Sequence, residues 1–178
     1  MSNQNGKQNA AGTTQPAASM PAVNSQKVWI TFYAARDNDP AGSRSIAYPG
    51  PAPRHAQAGG TGTYTDPLTL ASDTRWLPAG TRVYVPSLHK YYIMEDECVA
   101  AVQEYSATGL HHVDLYMSSS VQPGVVAAED QATKPQGENS LLIVNPPAGY
   151  PVDTTPLYSD ATGSAVATHT YPDVIPSN

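Results

Sequence analysis

The chain has 178 residues, enough for one domain with a real core and too few for two comfortable ones. Its formal net charge is −6, and no basic run exists, so nucleic acid and anionic membrane are not expected partners. No apolar stretch approaches the ~20 residues of a membrane span, and the one cysteine, Cys98, excludes an internal disulfide and a cysteine-rich zinc site.

Residues 1–26 are rich in Asn, Gln, Ala, Ser, Thr and Gly and offer almost nothing to bury, which predicts a disordered tail without an apolar signal region. Order is expected from Lys27-Val28-Trp29-Ile30-Thr31-Phe32-Tyr33, a β-branched and aromatic run. Asp37-Asn38-Asp39-Pro40-Ala41-Gly42 reads as a turn, and residues 48–63 as a Pro- and Gly-rich loop or lid. The run Gly59-Gly60-Thr61-Gly62 has no P-loop lysine and is not a nucleotide site. Short strands are expected over residues 68–71, 81–86 and 91–95. Val99 and Val102, three apart, suggest a short helix over residues 98–105.

Residues 111–117 alternate apolar and polar as a half-buried strand should. Residues 123–139 read as a loop, and Ser140-Leu141-Leu142-Ile143-Val144 is the most continuous apolar strand. Beyond Asn145, six prolines predict a mostly extended C-terminal segment. Short strands separated by turn signals point to a small closed β-barrel.

Three aspartates stand in specific contexts. Asp73 precedes Trp76-Leu77-Pro78-Ala79-Gly80-Thr81 and a Val-rich strand, Asp96 ends Met94-Glu95-Asp96, and Asp114 lies in Val113-Asp114-Leu115-Tyr116. This set resembles the three-aspartate domain of bacterial lytic transglycosylases, with an insertion at about residues 97–110. Thr31-Phe32-Tyr33-Ala34-Ala35-Arg36-Asp37 and His112-Val113-Asp114 resemble the opening and the His-Phe-Asp motif of expansins. These groups, with barwin-like proteins and family 45 endoglucanases, share the six-stranded double-psi β-barrel. The stretch from Gly60 to Thr69, and the one from Asn145 to Leu157, are similar to segments of extracellular fungal members of unassigned activity.

The resemblance implies roles. Asp114 matches the general acid, Asp37 the general base of the family 45 hydrolases, and Asp73 and Asp96 the supporting aspartates; Thr31 and Tyr33 match expansin groove residues. His112, Tyr116 and Trp76 are further candidates for contact with substrate. The chemistry suits these residues, because a carboxylic acid can protonate a glycosidic oxygen near neutral pH only if burial or a neighbouring carboxylate raises its pKa. Structural readings stand beside these roles. Asp37, Asp39 and Asp73 suit turn chemistry, Asp96 sits in an acidic run with Glu95 and Glu97, and Trp29 and Trp76 suit a core. Eleven tyrosines against one phenylalanine fit either a pleated half-buried surface or a sugar-facing one. His111 and His112 are adjacent on a strand and point apart, so no metal site is assigned, and Cys98 reads as a buried, inert thiol.

The expectation is an all-β, six-stranded double-psi barrel over residues 27–158, with one or two short helices, a tail over residues 1–26 and an extension over residues 159–178. The expected activity is cleavage of a β-1,4-linked wall polysaccharide, peptidoglycan first, by a secreted, periplasmic or cell-surface monomer without a cofactor. Two alternatives remain open: a glycan-binding module that does not cut, and a secreted effector or antigen that uses the barrel as scaffold.

Overall fold

The computed structural model describes residues 23–166 and 171–177, apart from the side chains of residues 135, 136 and 138. The expected tail therefore lies outside the described residues, except residues 23–26. Six strands close into one barrel: β1 (Ser25–Ala34), β2 (Leu68–Ser72), β3 (Arg82–Val85), β4 (Lys90–Glu97), β5 (His112–Ser118) and β6 (Ser140–Val144). Around the barrel they run in the order β1-β5-β2-β4-β3-β6. β1 pairs with β5 and β2 with β4 in parallel, and the other four pairings are antiparallel. Parallel neighbours need long crossovers, and here they carry the loops and helices that shape the outer wall.

Alternation decides which face each strand buries. Val28, Ile30 and Phe32 of β1 meet Val113, Leu115 and Met117 of β5, with Leu70, Val83, Val85, Tyr92, Met94, Leu142 and Val144, in one core cluster. Each such side chain contributes roughly 1.5–3 kcal/mol on burial. Trp29, Thr31 and Tyr33, and His112, Asp114 and Tyr116, fall on the opposite face because the side-chain period is two. A short antiparallel pair, β7 (Tyr158–Ser159) and β8 (Ser164–Ala165), follows the barrel, and Asp173 accepts from the Leu141 N–H and pairs with Lys27.

Helix α1 (Val99–Thr108) fills the stretch read as an insertion. The Cys98 thiol caps its start, and Gly109 (φ 74°) closes its end. Residues 123–139 are a correction to the sequence reading. Instead of a loop they form helix α2 (Gly124–Gln136) and a 3-10 turn, Gly137–Asn139. Flanking Pro123 and Gly137 suggest a loop locally, but Val125, Ala128 and Ala132 fall on one helical face and join the barrel's core cluster. Tertiary burial outweighs weak propensity here.

The tyrosines are spread over three clusters: Tyr92 and Tyr158 lie in the barrel core, and Tyr33 and Tyr116 pack together on the other face of their strands. Tyr84, Tyr91 and Tyr150 pack around Ile143, with Tyr64 against them, and the hydroxyls of Tyr84 and Tyr91 donate to the carbonyls of Pro151 and Pro147. This is structural cladding of the barrel. Gly60 has φ 99°, and a Cβ there would lie 2.1 Å from the Pro67 carbonyl oxygen. The glycine run thus serves a close approach of two backbone segments. Replacing Leu115, fully buried, with Ala should cost about 3 kcal/mol and lower the melting temperature by roughly 6–12 °C, as measured by thermal unfolding.

Candidate active site

The candidate residues gather on the outer wall of the barrel, not in its interior. Parallel pairing sets Thr31 beside Asp114 and Tyr33 beside Tyr116, while antiparallel pairing with β2 sets the small Ala71 on Asp114's other side. The Thr31 hydroxyl donates to Asp114 Oδ1 at 2.7 Å. The same hydroxyl oxygen lies 2.7 Å from His112 Nε2, and His112 Nδ1 lies 2.6 Å from Glu104 Oε2 on α1. Thr31 has one proton and gives it to Asp114, so His112 must donate to Thr31 through Nε2. Trp29 stacks on the His112 ring at 5.5 Å and fixes its plane.

Asp96 reaches the same wall through an irregularity. The parallel register of β2 and β4 shifts between Leu70 and Ala71, whose partners are Met94 and Asp96, so Glu95 is the extra residue. Such a bulge re-aims a side chain. Asp96 accepts from the Tyr33 hydroxyl at 3.0 Å and from the N–H groups of Ala47 and Glu97, both at 2.9 Å. Burial raises its carboxyl above the usual value, and these three donors oppose the rise.

Asp37 ends the 3-10 turn Ala35–Asp37 and accepts from the Ala34 N–H at 2.8 Å. Its charge reaches both Asp114 and Glu129. Glu129, on α2, was not among the residues singled out from sequence. It is buried, and its Oε1 has no hydrogen-bond partner among the described residues. Burial first, then the charge of and a hydrogen bond to Asp37, push Glu129 up to about 8. Two carboxylates are both acceptors, so they can face one another only when one carries a proton. A helical signal was present in sequence. Val125, Ala128, Glu129 and Ala132 follow the i, i+3, i+4, i+7 pattern, which places Glu129 on the buried face.

Asp114 itself is half-buried, and burial pushes it up to about 6, with the Asp37 charge adding to the rise and Thr31 and His112 opposing it. The Cys98 sulfur lies 3.9 Å from Asp114 Oδ2, and burial pushes this thiol up to about 11, so it remains protonated. The wall thus brings Asp37, Asp96, Asp114 and Glu129 together with Thr31, Tyr33, His112 and Tyr116. In the middle of this range of pH it holds protonated carboxyls beside ionised ones, the condition for general acid and base chemistry.

Asp73 and Trp76 lie apart from this grouping. Asp73 is buried but bonded to the Arg75 guanidinium and to the Arg75 N–H at 2.7 Å. The Arg75 bonds hold its carboxyl below the usual range. Arg75 also donates to the Val102 carbonyl of α1 at 2.9 Å, so the pair ties the turn after β2 to that helix. Trp76 stacks on His111 at 4.3 Å and packs against the core.

The raised carboxyls predict a pH dependence of stability. In the unfolded chain Asp and Glu titrate near 4, whereas Asp114 and Glu129 titrate at about 6 and about 8 in the fold. The native state therefore binds more protons between pH ~4 and pH ~8, and stability falls as pH rises across that window. Melting temperatures at pH 5 and pH 8 should show this loss. Glu129→Gln should remove the upper part of it and leave the variant more stable than wild type at pH 8.

Residues 25–166 match the family described as DDB_G0273701 N-terminal domain. A relative from Dictyostelium discoideum, "Uncharacterized protein DDB_G0273701/DDB_G0273221", is 41% identical over 140 residues, covering 78% of this chain. The match spans 59% of the relative's own length. No solved structure matches the chain. The chain belongs to the DDB_G0273701 N-terminal domain family.

Proposed function

We propose that this domain is a double-psi barrel that acts on a β-1,4-linked polysaccharide of a cell wall, peptidoglycan first, outside the cell that makes it. The closed six-stranded order with two parallel pairs supports the barrel assignment. The observation that carries the activity is Asp114, raised to about 6 on an outer wall it shares with Asp37 and Glu129.

In this reading protonated Asp114 gives its proton to the glycosidic oxygen as the bond to the anomeric carbon breaks. Two completions are chemically balanced. Water can attack the anomeric carbon while Asp37 takes its proton, leaving a reducing end. Alternatively the sugar's own 6-hydroxyl attacks and ionised Asp114 takes back a proton, leaving an anhydro end. Glu129, pushed up to about 8, supports the first route, because its proton can be donated in a hydrogen bond to Asp37. Tyr33 holds Asp96, and the chain from Glu104 through His112 and Thr31 orients the Asp114 carboxyl.

A second reading is a groove that grips glycan without cutting. The observation that favours it is the internal engagement of the bases, since Asp37 is bonded to Ala34 and Asp96 to three donors.

Mass spectrometry of soluble products from purified sacculi, cellulose and chitin decides between these. Cleavage with Asp114 as acid predicts an activity that falls as pH rises above about 6. Asp114→Asn should lower product release by at least about a hundredfold with the melting curve retained. Asp73→Asn should instead lower the melting temperature and leave activity per folded molecule unchanged. Wild-type protein that binds these glycans but releases nothing leaves the gripping reading, and neither binding nor release sinks both.

A further inference from the structure

A cleft of about 640 Å³ opens beside the carboxylates, and its wall includes Tyr116, which follows Asp114 by two residues on the same outer face of β5. The charge in the cleft is the reverse of the rest of the chain. Two cations, Arg44 and Lys90, line it, and no Asp or Glu does, although the chain carries a net charge of −6. Hydroxyls of Thr61, Ser118 and Ser119 stand on the same lining.

Neither cation is neutralised by a carboxylate contact among the described residues. The exposed Arg44 is held in place by its own loop: Nε donates to the Ala58 carbonyl at 2.8 Å, and Nη2 makes a second, shorter contact to the same oxygen. The guanidinium also acts on the Tyr116 hydroxyl by charge and hydrogen bonding, and both side chains line the cleft. Lys90 is buried, and among the described residues its ammonium donates to two backbone carbonyls, those of Asp153 and Thr155. The Asp153 carboxylate acts on Lys90 through space, but its bonds go to the Thr155 N–H at 2.8 Å and the Tyr171 hydroxyl at 3.1 Å. Burial lowers the Lys90 ammonium from its usual range, and the Asp153 charge opposes the shift. A buried cation whose hydrogen bonds go to carbonyl oxygens is stabilised further by an anion in direct contact.

We infer that the cleft is a subsite for a carboxylate-bearing sugar unit, recognised by the anchored guanidinium of Arg44 and the ammonium of Lys90, the two cations on a lining that holds no carboxylate. This rests on the reading of the adjoining wall as a glycan site and narrows it to acidic glycans. The volume accommodates a short oligosaccharide segment. The planar guanidinium, pinned along one edge, suits a carboxylate. The carboxylate can belong to a uronic acid or to the acidic substituent of a muropeptide, and the cleft chemistry is the same for both.

Calorimetric titration of the full chain at neutral pH tests this with three probes: β-1,4-linked trimannuronate, cellotriose and a disaccharide muropeptide. At least one acidic probe should bind about tenfold or more tighter than cellotriose, and added salt should erode the difference. Whichever acidic probe is tighter identifies the source of the carboxylate. Arg44→Gln, at an exposed position, and Lys90→Met should each reduce the acid preference severalfold. Melting curves establish that the variants fold, and Arg44→Gln suffices if Lys90→Met does not. Equal affinity for acidic and neutral probes, a preference that survives Arg44→Gln, or no binding by any probe overturns the inference. Cleavage of a neutral polymer without acid preference would sink this subsite and leave the proposed activity standing. Acid-selective binding without cleavage would do the reverse.

Discussion

The parallel register of β1 on β5 governs the rest of the molecule. It sets Thr31 against Asp114 and Tyr33 against Tyr116, and the same alternation places Ile30, Phe32, Val113 and Leu115 in the core. A slip of one residue would drive Asp114 and His112 into the barrel and expose the apolar set. Core packing therefore holds the candidate site in place, and Tyr33 and Tyr116 pack with Ala71, Cys98 and Ala101 in a second buried cluster beneath it. Ala71 matters for the same reason, since its small side chain is the β2 neighbour of Asp114.

Around this register the fold accumulates carboxyls that water would solvate better. α1 brings Cys98 and Glu104, α2 brings Glu129, and the β2–β4 bulge turns Asp96 toward Tyr33. The raised values of Asp114 and Glu129 measure the resulting cost to the native state at neutral pH. A structure selected for stability alone would replace them with apolar or amide side chains. Their presence is the physical argument for chemistry at this wall.

The long connection between β1 and β2 is held by side chains instead of regular structure. The fully buried Glu95 accepts from the His55 N–H at 2.7 Å and from Thr69 at 2.6 Å, and the His55 ring lies 2.7 Å from it and 3.1 Å from Asp66. Arg44 and Ala58 close the same loop over Tyr33, Tyr116 and Cys98. Glu95 and Asp96, neighbours in one acidic run, thus do different work: one anchors a loop, the other joins the candidate wall.

The sequence by itself determined the strands and their faces, because a period of two in residues 111–117 and a β-branched run at residues 27–33 depend only on local pattern. It also singled out Asp114, Asp96, Asp37, Thr31 and Tyr33, whose short motifs lie within single strands or turns. It did not separate Asp73, whose carboxylate is committed to Arg75, from the aspartates that do gather. Arg75 is only two residues away, but its contact with the Val102 carbonyl of α1 ties that local pair to a distant helix. Tertiary structure decided that the helical spacing within residues 124–136 outweighs the flanking Pro123 and Gly137, that Glu129 meets Asp37, and that Arg44 and Lys90 face one cleft. The physical reason is common to all three: burial and long-range charge act between segments that only barrel closure brings together.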